Sequence, residues 1–75
     1  MKLRTARDIG AFVRSARQDQ GISQADLAKR AEVSRRWLVT LEQGKAGAEL
    51  ALVLRVFEAL GVRLDATNIR TKEQP

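Results

Sequence analysis

Residues 23–44, SQADLAKRAEVSRRWLVTLEQG, contain two helix starts that lie eleven residues apart. Ser23 with Asp26 three residues later resembles a capping box, in which Asp replaces the usual Glu or Gln. Ser34 is the second candidate N-cap. The first helix cannot extend far past Ala31, so a turn of about three residues joins the two helices. The stretch therefore predicts two short helices connected by a tight turn.

Two adjacent arginines, Arg35 and Arg36, open the second of these helices. A helix-turn-helix motif has a connection of this length, and the start of its second helix meets DNA base edges. Two cations at a helix start oppose the positive end of the helix dipole and cost stability unless an anion lies nearby. The pair therefore indicates DNA binding, and the alternative is a solvated basic helix start.

The length and composition of the chain favour a dimer. Its 75 residues form one domain, 1–75, and a chain of this size buries only about 60% of its unfolded surface. Small folds often gain stability from disulfides, metals or partner subunits. The sequence contains no Cys and no His, so it predicts neither a metal site nor a cofactor, and a second subunit is the support that remains.

Several classes of protein fit the sequence poorly. Residues 1–8 carry regular charges and no apolar segment, unlike a signal peptide, and no run suits a membrane span. The absence of Cys fits a reducing compartment, so we expect a cytoplasmic protein without a membrane partner. The acids are scattered, and there is no His, Cys or Gly-rich phosphate loop, so we expect no enzyme. The net charge of +5 suits a polyanionic partner.

Apolar periodicity and capping signals predict an all-α domain with four helices. Thr5 starts the first helix, and the glycines Gly21, Gly44 and Gly61 end the first, third and fourth. The expected helices cover residues of about 5–20, 24–31, 35–43 and 48–60. Among the basic residues outside the third helix, Arg14, Arg17, Lys29 and Arg30 are expected to form a solvated basic surface.

The fourth helix is apolar over more of its circumference than a surface helix requires. Its expected core stripe is Leu50, Val53, Leu54, Phe57 and Leu60, and a second apolar set beside it is Leu52, Val56 and Ala59. The surplus face predicts a dimer contact through this second set. The alternative is a central helix that is buried on two sides within a monomer.

Residues 62–65 alternate apolar and polar side chains, which indicates a short β-strand with Val62 and Leu64 on its apolar side. A single strand is not stable alone, so it would pair with the same strand of a second subunit. The alternative is an extended tail that lies across its own helix. Residues 66–75 are polar and are expected to fray.

The pattern SQxxLAxxAxVSRRxLxxLExGK, residues 23–45, resembles the Xre or lambda-repressor-like helix-turn-helix family. The resemblance extends over about residues 7–61 and implies a compact four-helix DNA-binding domain. The visible departure is Glu32 in the turn, where the family often has Gly. A left-handed conformation there would cost a non-Gly residue some stability.

Within that family, Arg35-Arg36-Trp37 and the apolar helix that ends at Gly61 are most similar to HipB-type antitoxins. That similarity implies a homodimeric repressor that binds a pseudo-palindromic operator. It also implies a HipA-type kinase toxin as a partner, and a C-terminal strand from each subunit that pairs across the dimer.

The expected base contacts come from the third helix. Arginine binds guanine O6 and N7 with two hydrogen bonds. Because adjacent residues diverge by about 100°, one of Arg35 and Arg36 would read a base and the other a phosphate. Thr40, one turn beyond Arg36, could touch a thymine methyl group, although an ordinary exposed threonine needs no such role.

Four further residues are candidate contacts with the DNA backbone: Gln24, Ser34, Trp37 and Lys45. The resemblance implies that Gln24, at the start of the second helix, holds a phosphate. Ser34 could meet a phosphate through its hydroxyl or the nearby backbone N–H groups. Trp37 could donate its indole N–H, lock the helix onto the core, or do both. Lys45 follows the third helix and is otherwise an exposed lysine.

The sequence therefore predicts a homodimeric repressor of transcription that recognises double-stranded DNA. The alternative is a protein-interaction module that binds a partner, such as a toxin, without reading DNA. Such a module would be expected to have an acidic or neutral start to its third helix.

Overall fold

The fold consists of four helices and their connections. The computed structural model describes residues 1–70, and its helices are α1 (Ala6–Asp19), α2 (Gln24–Ala31), α3 (Arg35–Glu42) and α4 (Leu50–Ala59). All regular secondary structure within residues 1–70 is helical, which confirms the all-α architecture. The helix α4 begins two residues later than the sequence predicts. No helix in this part of the chain is both long and apolar enough to cross a membrane.

Side-chain caps start the first three helices. The Thr5 hydroxyl accepts a hydrogen bond from the Asp8 backbone N–H at 3.1 Å, and the Asp8 carboxylate accepts from the Thr5 backbone N–H at 3.2 Å. A further bond from the Arg4 backbone N–H is the main reason that the pKa of Asp8 is lowered. The Ser23 hydroxyl caps α2 by accepting from the Asp26 backbone N–H at 3.0 Å.

The turn between α2 and α3 passes through Glu32 in the left-handed conformation, with φ of 58°. The left-handed conformation lowers stability when the residue is not glycine, as the sequence predicts for this position. The Arg55 guanidinium of α4 donates to the Glu32 carbonyl at 3.3 Å. This hydrogen bond ties the turn to α4.

The core lies where all four helices meet. The apolar residues that are at most 6% exposed are Val13, Leu27, Ala28, Ala31, Leu38, Leu41, Val53, Val56, Phe57 and Leu60. The helix α2 packs on α3 and α4, and α1 packs on α3. The rings of Phe12 and Phe57 lie 5.6 Å apart, which joins α1 to α4.

The apolar arc of α4 is rotated from the one that the sequence predicts. Val56, assigned to the dimer face, is 0% exposed in the core of its own chain, so that assignment is wrong. Leu50 and Leu54, assigned to the core stripe, are 68% and 46% exposed. The physical reason is that α2 covers the Val53 and Val56 side of α4. Periodicity locates an apolar arc but not which part of a broad arc is covered.

Residues 62–65 form no strand within the single chain. Val62 packs against the core, and its backbone N–H donates to the Phe57 carbonyl at 2.9 Å, which ends α4. Leu64 remains 46% exposed. The start of the segment therefore packs on its own chain at the end of α4. Strand pairing across a dimer stays a prediction. The expected fraying of 66–75 falls partly on residues 71–75, outside the described residues.

Helices α1 and α3 approach so closely that only glycine fits at one point. A Cβ on Gly10 would overlap the Leu41 carbonyl oxygen and lie 2.9 Å from the Gly44 backbone nitrogen. Glycine costs about 1 kcal/mol relative to alanine inside a helix, so close packing explains its presence in α1.

A largely buried ion pair joins α1 to α3. The Arg17 Nε lies 2.7 Å from Glu42 Oε2, and the two side chains are only 12% and 4% exposed. Arg17 Nη2 also donates to Glu42 Oε1 at 3.0 Å, and Nη1 donates to the Ile22 carbonyl at 3.0 Å. The hydrogen bonds to Glu42 raise the pKa of Arg17, so the guanidinium stays charged. The expectation that Arg17 belongs to a solvated surface is therefore wrong.

The Glu32 conformation predicts that Glu32→Gly stabilises the fold. Relief of the left-handed strain outweighs the greater freedom of glycine in the unfolded chain, for a gain of roughly 0.5 kcal/mol. Urea unfolding at one fixed protein concentration measures the change. Gly21→Ala is the matched control, because Gly21 has φ of 70° and open space around its Cα. It should be less stable than the parent. A loss of stability in Glu32→Gly would contradict the strain argument.

The ion pair predicts that Glu42→Gln destabilises the fold by roughly 3 kcal/mol, because it leaves the Arg17 charge buried without its partner. The control is Asp65→Asn, which breaks the 3.4 Å pair with Arg63, where the side chains are 87% and 69% exposed for Arg63 and Asp65. That change should leave the unfolding midpoint in urea almost unaltered. Equal effects of the two substitutions would show that burial does not determine how much an ion pair contributes to the free energy of unfolding.

Candidate nucleic-acid interface

The outer face of α3 is the candidate interface. Leu38 and Leu41 of α3 are buried in the core. At 100° per residue, the opposite side of the helix carries Arg36, Thr40 and Gln43. The helix is thus held by its inner face, and a polar stripe is left facing away from the protein.

Both arginines at the start of α3 are exposed. Neither forms an ion pair within residues 1–70, and the first turn of α3 contains no acid. Arg36 lies on the outer stripe, and Arg35 lies on its flank. The positive end of the helix dipole adds to their charge, so this end of α3 favours an anionic partner.

Ser34 caps α3 by accepting a hydrogen bond from the Trp37 backbone N–H at 3.0 Å. The hydroxyl hydrogen of Ser34 is still free to donate, since the cap uses only the oxygen. Trp37 is half-buried and packs against the core from the other flank of α3. Its core role is therefore present in the structure, and its contact with DNA stays a prediction.

Thr40 is half-buried on the outer stripe, and its hydroxyl donates to the Arg36 carbonyl at 3.1 Å. The hydroxyl hydrogen is thus engaged within the helix. The methyl group is the part of Thr40 that is left for a partner, which suits apolar contact with a thymine methyl more than donation to a base edge.

Gln24, the first residue of α2, is oriented by the buried ion pair. Its Nε2 donates to Glu42 Oε1 at 3.1 Å, so the side chain is held across the gap between α2 and α3. A recess of about 390 Å³ opens beside it, and its walls are Arg14, Arg17, Gln24, Val39, Glu42 and Gln43. The recess places Gln24 near Gln43, the last residue of the outer stripe.

Lys45 is exposed in the connection between α3 and α4. It borders a different recess, which lies between the start of α1 and the start of α4 and includes Thr5 and Leu50. The structure therefore places Arg36 and Thr40 on the outer stripe of α3 and Arg35 on its flank, and it places Gln24 in a recess with Val39 and Gln43. It places Lys45 away from the recess beside Gln24.

Two residues near this surface, Gln43 and Arg14, are not among the DNA contacts that the sequence predicts. Gln43 follows the last turn of α3, seven residues after Arg36, and helical spacing could have placed it on the same stripe. Arg14 was assigned to a general basic surface. No sequence signal could have placed it beside Gln24, because the contact depends on how α1 crosses α3.

Comparison with known families identifies the same motif. Residues 8–68 match the model of a family described as a helix-turn-helix domain. The chain is 42% identical over 64 residues to an uncharacterized HTH-type transcriptional regulator, y4mF, of Sinorhizobium fredii, covering 85% of this chain and 84% of that protein. It is 37% identical over 50 residues to an HTH-type transcriptional regulator of Methanothermobacter thermautotrophicus, covering 67% and 72% of the two chains.

Solved structures share the fold. A HipB–O4 20mer complex superposes with a TM-score of 0.84 at 16% identity, covering 92% of this chain and 97% of that chain. A HipA–HipB–O2–O3 complex gives 0.83 at 16% identity, with 92% and 97% covered. At this level of identity, the similarity establishes the arrangement of the helices.

The capped helix pair, the outward polar face of α3 and these matches lead to one conclusion: the chain belongs to the helix-turn-helix family of DNA-binding transcriptional regulators and has the fold of HipB.

Proposed function

We propose that this protein is a sequence-specific repressor that binds double-stranded DNA as a homodimer. The observation that carries the proposal is the exposed start of α3, where Arg35 and Arg36 have no acidic partner in the described chain. The outer stripe of the same helix is free of core contacts at Arg36 and Gln43. A helix presented in this way fits the major groove.

Each predicted contact has a chemical role in the proposal. The guanidinium of Arg35 or Arg36 binds guanine O6 and N7, and the other arginine binds a phosphate. The methyl group of Thr40 packs on a thymine methyl. Gln24, Ser34, Trp37 and Lys45 bind the DNA backbone, which positions α3 but carries no sequence information.

The dimer contact that we propose lies on the tail side of α4. A recess of about 400 Å³ there is lined by Leu54, Phe57, Val62 and Leu64 together with polar neighbours, and Leu54 and Leu64 are each 46% exposed. Leu52 and Ala59 are half-buried on the opposite flank of α4, so one contact surface cannot cover both groups. Compared with the dimer contact that the sequence predicts, the proposed contact therefore retains Val62 and Leu64 and adds Leu54.

In such a dimer, the two α3 helices would enter successive major grooves of a pseudo-palindromic operator, about 34–36 Å apart. Occupation of the operator would exclude the transcription machinery. The HipA–HipB complex among the similar structures supports a finer proposal, in which this protein is a cytoplasmic antitoxin that represses its own operon and binds a HipA-type kinase.

The alternative is a module that binds a protein partner without reading DNA. The exposed apolar recess beside α4 is the observation that favours it, because any protein partner could cover this surface. The arginines of α3 have no acidic partner within residues 1–70, which favours DNA. The two candidates therefore differ in whether the protein selects a DNA sequence.

Selection of sites from a random DNA pool should yield a palindromic consensus, which binds with a steep salt dependence. Arg35→Ala and Arg36→Ala should then weaken binding to that site, and the arginine that reads guanine should lose about 1–3 kcal/mol of discrimination at one base pair. Circular dichroism should show unaltered folding, since both side chains are exposed. Arg30→Ala is the control, because Arg30 is exposed on α2 and lies outside the recesses beside α3 and α4. No enrichment of any sequence would favour the protein-binding module.

The dimer is tested by Leu64→Asp. A charge in the proposed contact should make the protein monomeric at concentrations where the parent sediments as a dimer, and operator affinity should fall with it. Ala25→Asp is the control for adding a charge, because Ala25 is exposed on α2 and does not line this recess. It should remain dimeric. A parent chain that sediments as a monomer, or a dimeric Leu64→Asp variant, would refute this contact.

A further inference from the structure

The recess between α1, the start of α2 and the outer face of α3 has an excess of positive charge. Its walls contain two cations, Arg14 and Arg17, and one anion, Glu42. Both carboxylate oxygens of Glu42 are already engaged, by Arg17 and by Gln24. The charge of Glu42 is thus directed into the protein and neutralised by Arg17.

Arg14 supplies the excess charge at the outer edge of this recess. It lies one helical turn before Arg17 on α1, but unlike Arg17 it is exposed. Arg14 has no ion pair in the portion of the chain that the structure describes. A guanidinium without an acidic partner, beside a neutralised carboxylate, is available to an anion from outside.

Two amide side chains border the same recess. Gln24 uses Nε2 to hold Glu42, and that nitrogen has a second N–H to donate. Gln43 is exposed at the end of α3, on the stripe that begins at Arg36. The recess thus combines one free cation with neutral donors, and this combination suits a singly charged phosphodiester.

We propose that Arg14, together with Gln24, binds a backbone phosphate of the DNA whose major groove receives α3. The DNA-binding surface would then continue from α3 onto α1, so that three helices hold the duplex. This inference rests on the proposed function and adds a contact that sets affinity and register rather than sequence preference.

The chemistry separates Arg14 from the arginines of α3. One of Arg35 and Arg36 would read a base in the groove, so the loss of that arginine should alter discrimination between sequences. Arg14 lies on α1 and shares a recess with Glu42 and Gln43 at the end of α3, where it would reach the phosphates at the edge of the groove. Its loss should weaken binding to every sequence by the same factor.

Arg14→Gln tests the proposal, with binding to the selected operator and to unrelated DNA measured across a series of salt concentrations. One lost phosphate contact per subunit should reduce the slope of log K against log salt by about 0.9 per subunit. At 0.1 M salt this corresponds to a loss of about eightfold in affinity per subunit. The ratio of operator to unrelated binding should be unchanged.

Arg30→Gln is the control for the general effect of removing a charge. Arg30 is exposed on α2, has no ion pair within residues 1–70, and lies outside the walls of the recesses described above. The slope of log K against log salt should be the same for this variant as for the parent protein. Arg14→Lys should retain most of the slope, because the charge remains. Inorganic phosphate at millimolar concentration should not displace the DNA from Arg14, because a single phosphate ion lacks the neighbouring phosphates of a duplex.

The outcomes separate the two proposals. Suppose that the parent protein prefers its operator and that Arg14→Gln has the same slope of log K against log salt as the parent. This result would overturn the Arg14 contact alone. A parent protein that prefers no sequence would overturn the proposed function. A changed operator preference in Arg14→Gln would also contradict the inference, because it would mean that Arg14 reads bases.

Discussion

The Arg17–Glu42 ion pair is the interaction on which the arrangement of this small domain depends. It joins α1 to α3, receives the side chain of Gln24 from α2, and donates to the Ile22 carbonyl in the connection between α1 and α2. Burial of two charges is expensive, and only good geometry with further hydrogen bonds repays the cost. Here three donors reach the carboxylate, so the pair also determines how the three helices meet.

The functional surface follows from that constraint. With Leu38 and Leu41 in the core and Glu42 held by Arg17, the inner side of α3 is fully occupied. The remaining side must face outward, and it carries polar and cationic residues. Close contact of α1 with α3 at Gly10 adds to the rigidity of this support. A rigid helix with an uncommitted polar face is suited to inserting into a groove of fixed dimensions.

Local signals in the sequence were reliable where the physics is local. The caps Thr5, Ser23 and Ser34 form the expected hydrogen bonds to their helix starts, and Glu32 adopts the left-handed turn. The broad apolar arc of α4 was a harder case. Val56 is buried in the core and Leu54 is exposed, the reverse of what the sequence predicts. A helix with seven or more apolar positions can be covered from either side, and the position of α2 decides which side is buried.

Patterns along the chain predict the four helices, their boundaries to within about two residues, the helix-turn-helix connection and the cationic start of α3. These depend on capping, periodicity and residue type, which act over a few neighbours in the chain. Tertiary structure alone decided that Arg17 is buried while Arg14 is exposed, that Gln24 is held by Glu42, and that Leu54 rather than Val56 faces outward. Each of these depends on the angle and distance at which separate helices pack, and no local pattern encodes that geometry.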